Sequence, residues 1–379
     1  MNKLKLGMVG GGQGAFIGAV HRIAARIDGQ FDLVAGALSS DPVRAATSAA
    51  EIGIAPDRSY ANFEDMARAE AAHENGIDVV TIVTPNHMHA DPAVAFLEAG
   101  IHVICDKPLA HTMQDAERIA TAAANSGKQF ILTHNYTGYP LIRQAREIIG
   151  RGDLGTIRVV NVEYTQDWLA EETPADNKQA SWRTDPARSG AGGCVGDIGT
   201  HAFNLASYVT GLETDALSAD LDAFVPGRRV DDNVHVMLRF RGGAKGMLWA
   251  SQVAVGHEND LRLRVHGDKA GIEWAQENPN QMSFTKFGKP KQILTRAGAG
   301  STPDGQRNIR VPPGHPEGYL EGFATIYSEA ATLIRAADHR SVPDPSVHTP
   351  GIVEGIRGMQ FITACVASSK NNAAWTKLG

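Results

Sequence analysis

At 379 residues the chain is long enough for two domains of ordinary size. Its 42 % hydrophobic and 21 % charged residues are those of a folded globular protein, not a disordered or fibrous one. Thirty-six Lys and Arg against 42 Asp and Glu leave a net charge of −6, and no basic cluster interleaves with aromatics, which excludes nucleic acid and anionic membrane as expected partners. Cys105, Cys194 and Cys365 are odd in number and widely separated, so they form no disulfide framework and fit a reducing compartment. With no signal-peptide pattern and no apolar run of about 18 residues, the expected location is the cytoplasm. Forty glycines exceed the usual share of about 7 %, and no Gly-X-Y period absorbs the excess.

In chain order, residues 4–9 read as a short apolar strand, followed by a glycine-rich turn and helical spacing over 19–27. Strands at 31–37, 79–83, 101–105 and 129–133 alternate with helices at 42–52, 92–99 and 113–125. The alternation, and the continuous apolar character of these strands, predict a Rossmann-type doubly wound parallel sheet buried on both faces. After a helix at 141–149 the pattern changes. Strand-length segments at 157–164, 234–240, 244–252, 261–266 and 271–274 predict a mainly antiparallel open sheet, and 319–337 and 351–369 return to helical spacing. The expected division is 1–135 for a cofactor domain and 136–379 for a substrate and oligomerisation domain of α+β type. Its C-terminal helices are open to packing back on the first domain. A cleft between the two is the expected working surface.

Four segments carry chemistry. Gly10-Gly11-Gly12-Gln13-Gly14 lies between strand and helix, where glycines let backbone N–H groups approach a pyrophosphate at the helix N-terminus. The match to G-x-G-x-x-G is irregular, with Gly18 as the third glycine after an insertion at Gly14-Ala15-Phe16. Past the second strand, Ser39, Ser40 and Arg44 suit a 2′-phosphate, whereas Asp41 suits a ribose or a helix cap, leaving NAD and NADP both open. Thr84-Pro85-Asn86-His87-Met88-His89 and Cys105-Asp106-Lys107-Pro108 follow the next two strands, on the rim where α/β sheets bind ligands. His87 and His89 point apart on an extended segment and no second ligand pair accompanies them, so no metal is expected. The fourth segment runs from Gly190 through Gly192, Gly193, Asp197 and Gly199 to His201. On a helix, Asp197 and His201 at i and i+4 share a face, which suits a general acid/base near neutral pH. The alternative is a cap and a core histidine.

Taken together, the glycine turn, Thr84-Pro-Asn-x-x-His89, Gly100-x-His-Val-x-x-Asp-Lys-Pro108 and Gly192-Gly193-x-x-x-Asp197-Ile-x-x-His201 resemble the Gfo/Idh/MocA oxidoreductases. The resemblance implies NAD or NADP as cofactor and Lys107, Asp197 and His201 as the catalytic set. It implies cofactor contacts from the glycine turn (Gly10, Gly12, Gln13, Gly18), from Ser39, Ser40 and Arg44, and from Thr84, Asn86, His89, Asp106 and Lys107. Asp106 stands where the family commonly has Glu. Gln166 and Trp168, with Trp182 and Arg183, look like elements of relatives acting on pyranose-like rings, and aromatic, amide and Arg groups suit a polyhydroxylated ring. Asn135, Tyr136 and His315 are further substrate candidates. The implied activity is hydride transfer between nicotinamide and a secondary hydroxyl of a sugar, anhydrosugar or cyclitol, by a homodimer or homotetramer assembled through the second sheet. The alternatives are glycoside hydrolysis by transient oxidation and a silent cofactor-binding regulator.

Overall fold

The computed structural model describes residues 2–172 and 177–378. They divide into two compact units, Met1–Asn135 with Tyr319–Ile356, and Tyr136–Gly318 with Arg357–Gly379.

The first unit runs β1 (Leu4–Gly10), α1 (Phe16–Ile27), β2 (Phe31–Ala37), α2 (Pro42–Glu51), α3 (Phe63–Ala72), β3 (Val79–Val83), α4 (Ala90–Glu98), β4 (His102–Cys105), α5 (Met113–Ser126) and β5 (Phe130–Leu132). Its five strands lie parallel in the order β2-β1-β3-β4-β5, as the alternating pattern predicts. Every residue of β3 and β4 is buried, which is why those strands read as unbroken apolar runs.

The second unit runs α6 (Pro140–Gly150), β6 (Ile157–Thr165), α7 (Lys178–Arg183), α8 (Pro186–Ser189), α9 (Thr200–Thr210), β7 (Thr214–Asp222), β8 (Asn233–Phe240), β9 (Lys245–Ser251), β10 (Asp260–Gly267), β11 (Ala270–Ala275), β12 (Gln281–Lys286), β13 (Gln292–Thr295) and α10 (Pro303–Gln306). Helix α11 (Tyr319–Asp338) belongs to the first unit, α12 (Ile352–Lys370) begins in the first and ends in the second, and β14 (Thr376–Lys377) closes the second. Nine strands form its sheet in the order β13-β12-β11-β10-β6-β9-β8-β7-β14, antiparallel throughout except for the β6–β9 pair. The β8–β9 hairpin turns on Gly242 and Gly243, at φ 88° and 97°, a conformation that side chains resist.

Helices α1 and α11 bury Val20, Ala24, Phe323, Ile326, Tyr327 and Ile334 with Leu6, Val79 and Ile104 of the sheet. This core contains a polar triangle. His21 Nδ1 lies 2.8 Å from the Tyr327 hydroxyl and 3.2 Å from Thr81 Oγ1, which are themselves 2.9 Å apart. Burial pushes the His21 imidazole down to about 4. It also pushes His134 down to about 3, the Lys107 ammonium adding to the effect. Both rings therefore stay neutral in the folded protein where an unfolded histidine, titrating near 6.5, has taken up a proton. Their contribution is present above pH 6.5 and is lost as pH falls through the folded values. For His21 this amounts to roughly 3 kcal/mol by pH 4. His21→Leu removes that titration while leaving the Tyr327–Thr81 bond. Between pH 6.5 and 4 the wild-type Tm is expected to fall relative to that of the variant; parallel Tm curves for the two proteins would contradict this origin.

Candidate active site

In the first unit, the turn after β1 brings backbone against backbone. A Cβ on Gly18 would stand 2.4 Å from both Cα and O of Gly11, and one on Gly12 would stand 2.7 Å from the Leu38 carbonyl oxygen. Both positions need glycine for space. The inserted residues form a tight turn in which Ala15 N–H donates to Gly12 O at 3.1 Å, and α1 starts at Phe16 with no side chain capping its N-terminus. Its first N–H groups thus have no side-chain cap and are oriented for an anion. Two residues without a sequence signal hold this turn from α2. Gln13 N–H donates to Ser48 Oγ at 3.1 Å and Gln13 Nε2 to Glu51 Oε1 at 2.5 Å. From α1, Arg22 donates to Gly11 O at 2.7 Å. A cavity of about 530 Å³ borders Gly11–Phe16, Leu38, Ser48 and Glu51.

Beyond β2, Asp41 accepts the Arg44 N–H at 2.8 Å, and Ser39 Oγ accepts the Asp41 N–H at 3.1 Å. Asp41 is therefore the cap of α2, while Ser40 and the Arg44 side chain stand exposed. Beyond β3, Thr84 Oγ1 donates to Met88 O at 2.9 Å and Asn86 is buried. The fully buried His89 stands between the carbonyls of Pro108 (2.8 Å) and Thr84 (2.9 Å), bracing two strand-end loops. Beyond β4, Asp106 Oδ1 accepts the Lys107 N–H at 2.8 Å and the Thr133 hydroxyl at 3.0 Å. Lys107 itself is half-buried and Asn135 is buried.

In the second unit, the glycine-rich approach to α9 is gripped by Asp231. Its carboxylate accepts the N–H of Gly193 at 2.6 Å and of Val195 at 2.7 Å, and its carbonyl accepts that of Cys194 at 2.8 Å. Burial raises Asp231 to about 6 despite these donors. A Cβ on Gly193 would meet Asp231 O at 2.3 Å, which accounts for that glycine. Residues Val195–Gly199 then form a single π-helical turn leading into α9, instead of the plain helix start the spacing suggests. A π-turn is a local widening often found at functional sites. On it, Asp197 Oδ2 accepts from Arg183 Nε at 3.0 Å and from Gln252 Nε2 at 2.9 Å. The Arg183 guanidinium lies over the rings of Trp182 (4.2 Å) and Trp168 (5.9 Å).

One turn on, His201 is 8 % exposed. Its ring meets Tyr136 edge-on at 4.9 Å and Tyr164 at 6.1 Å. The Tyr136 and Tyr164 hydroxyls are 2.5 Å apart, and Gln166 accepts the Trp168 indole N–H at 3.0 Å. Asp197, Arg183, Trp168, Trp182, Gln166, Tyr136 and His201 thus form one connected group within this unit. His315 is not part of it. Its ring is exposed, and its loop is pinned by Arg296, buried and paired with Glu317 at 2.9 Å. Among the described residues no three His, Cys, Asp or Glu side chains converge as a metal ion would require.

A parallel sheet with an uncapped helix behind a glycine turn, and a second unit whose π-turn and following helix carry Asp197 and His201 beside aromatic rings, define a nicotinamide-type oxidoreductase. Residues 4–134 match the oxidoreductase family with NAD-binding Rossmann fold, and residues 142–273 match the GFO/IDH/MocA C-terminal domain. The chain belongs to the Gfo/Idh/MocA oxidoreductases. It is 54 % identical to an oxidoreductase of known structure from Sinorhizobium meliloti, each chain covered completely, with a TM-score of 0.91. It is 32 % identical to an inositol dehydrogenase homolog from Azotobacter vinelandii solved with NADH and myo-inositol, covering 99 % of this chain and 98 % of that one, with a TM-score of 0.93. It is 28 % identical to levoglucosan dehydrogenase of Pseudarthrobacter phenanthrenivorans, covering 99 % and 98 % of the two chains.

Proposed function

We propose that the protein oxidises a secondary hydroxyl of a cyclic polyol (a sugar, anhydrosugar or cyclitol) with NAD as cofactor. The first unit serves the cofactor and the second the substrate. The observation that carries the reading is Asp197 on the π-turn, held by Arg183 and Gln252, with the Trp168 and Trp182 rings against that guanidinium and His201 at the start of α9. Complexes of the similar proteins with NADH, myo-inositol and levoglucosan support the cofactor and the substrate class.

NAD, when bound, supplies the acceptor for the hydride. The protein's part is to ready the carbinol. His201 takes the hydroxyl proton on an imidazole nitrogen, so that the C–H electron pair can depart as the carbonyl forms. Lys107 offers its ammonium to the oxygen as negative charge develops. Asp197, fixed by two donors on one oxygen, orients substrate hydroxyls. The uncapped α1 terminus and the turn from Gly10 to Gly18 receive the pyrophosphate, with Thr84, Asn86, Asp106 and the half-buried Lys107 along the same strand-end rim. His89 braces that rim. Trp168, Trp182, Tyr136 and Arg183 shape the ring's seat, with Asn135 as a further contact. Gln166 acts by holding Trp168. The test is a panel of inositols, pyranoses and anhydrosugars with each cofactor, followed at the nicotinamide absorbance. Binding of NAD without oxidation across the panel would favour the regulator instead.

With Asp41 committed as a helix cap and Arg44 exposed beside Ser39 and Ser40, the adenosine end also accommodates a 2′-phosphate. Arg44→Ala is expected to raise the KM for NADP about tenfold or more, the loss of one charge-assisted contact, and to leave the KM for NAD within about twofold. Equal effects on both would remove Arg44 from this role.

The second sheet carries an exposed cross-strand pair, Met237 (52 %) facing Met247 (58 %), which suits a homodimer or homotetramer joined through this face. No described helix is long and apolar enough to cross a membrane. The three cysteines are buried, unlinked thiols, in keeping with a cytoplasmic location.

A further inference from the structure

We propose that Asn259, on the loop entering β10, is a positioning residue that sets the orientation of His201. The inference rests on the reading of His201 as proton acceptor. Asn259 Oδ1 accepts the Tyr164 hydroxyl at 2.8 Å and Gln166 Nε2 at 2.7 Å. The asparagine is itself fixed, since its backbone N–H donates to Glu277 Oε1 at 2.9 Å and its Nδ2 to Gln276 Oε1 at 3.3 Å. The Tyr164 hydroxyl is in turn 2.5 Å from that of Tyr136. The amide oxygen can only accept, so the Tyr164 hydroxyl donates to it. The Tyr164 tip is tied to Asn259 directly, and the Tyr136 tip is tied through Tyr164.

The tips fix the rings, and the rings form two walls around the imidazole. Tyr136 meets His201 at 4.9 Å and 75°, and Tyr164 meets it at 6.1 Å and 60°. Tyr136 is backed by Tyr139, stacked at 6.1 Å and 16°. An imidazole's χ2 torsion has a broad preference, which such walls narrow, and proton transfer demands the ring's direction to within a fraction of an ångström. Through Gln166, whose Oε1 accepts the Trp168 indole N–H, the same amide oxygen also fixes Trp168. One asparagine, 58 positions beyond His201 in the chain, thus holds the base and one aromatic wall in register.

The test uses the full chain with NAD and, as probes, myo-inositol and levoglucosan, together with NMR of the His201 imidazole in the absence of substrate. Asn259→Leu is expected to lower kcat by about 10- to 100-fold with the KM for NAD within about twofold. Asn259→Asp, which keeps an acceptor oxygen for Tyr164 and Gln166, should recover to within about threefold. In a Tyr136→Phe/Tyr164→Phe background, Asn259→Leu should leave the His201 ring signals where the double variant puts them, because its effect on that ring runs through those hydroxyls. The His201 ring signals should move in Asn259→Leu and return in Asn259→Asp. A further shift of those signals in the double-Phe background, or unmoved His201 signals in Asn259→Leu, would overturn the proposal; so would an Asn259→Asp variant as impaired as Asn259→Leu. If Asn259→Leu does not fold, Tyr164→Phe removes the same link by one oxygen and must move the His201 signals. A fully active His201→Asn enzyme would instead sink the proton-acceptor reading, whereas the NMR result would still decide whether Asn259 orients the ring.

Discussion

Replacing His201 with Asn is expected to lower turnover by about 10²- to 10⁴-fold, the usual worth of a general base, while the Kd for NAD stays within about twofold of the wild-type value. The asymmetry follows from where the groups lie. His201 is held by Tyr136 and Tyr164 within the second unit. The turn and uncapped helix proposed to receive the pyrophosphate are built wholly from the first. Asparagine keeps a polar side chain of similar reach, so the loss reports proton transfer and not a hole beside the tyrosines. Lys107→Ala is expected to match it in kcat, because an ammonium beside the reacting oxygen is worth most when negative charge has developed there. Isotope-sensitive single-turnover kinetics with NAD, and fluorescence titration of NAD, separate the two quantities. Near wild-type rates in both variants would mean that other groups carry the proton and the charge.

The first sheet is legible in the sequence because each strand is a short apolar run closed by a glycine, proline or polar cluster. Residues 31–37 and 79–83 carry their boundaries in the sequence. What is not legible has physical reasons. Strand β7 reads TDALSADLD, poor in β-branched and aromatic residues; it is a strand because β8 pairs with it along its length. Strand β13 lies at the sheet edge, where little burial shapes the pattern, and has no fully buried residue, while β12 beside it buries only Met282 and Phe284. Helix α3 carries Glu and Asp in its first turn and only three buried residues, one of them Glu70, so its apolar stripe is faint. The segment from 190 to 201 shows its importance through its glycines, but not the cause. Asp231 grips it from 30 or more positions away, and no local pattern marks that aspartate. The same holds for Gln252 and Asn259, whose roles arise only when β9 and β10 flank β6. Sequence displays the groups that chemistry needs; the groups that aim them are scattered along the chain.

Gly18→Ala is the variant expected to weaken cofactor binding without replacing any side chain at the site. The new methyl would lie 2.4 Å from Gly11 Cα and from Gly11 O, and both are backbone, so neither can rotate aside. Either α1 withdraws or the turn lifts. In both cases the Arg22 bond to Gly11 O is stretched and the N–H groups at the start of α1 no longer converge where the turn delivers the pyrophosphate. Overpacking of this kind costs about 1–3 kcal/mol of stability, and a comparable loss of pyrophosphate contacts raises the Kd for NAD by at least about tenfold. Gly29→Ala provides the contrast. Gly29 has φ +64° and nothing within 4 Å of a Cβ, so alanine there strains the backbone by about 1–2 kcal/mol but leaves the turn alone. Both variants should melt earlier than the wild type, and only Gly18→Ala should bind NAD more weakly. Equal NAD affinity in the two would show that the pyrophosphate does not rest on this turn.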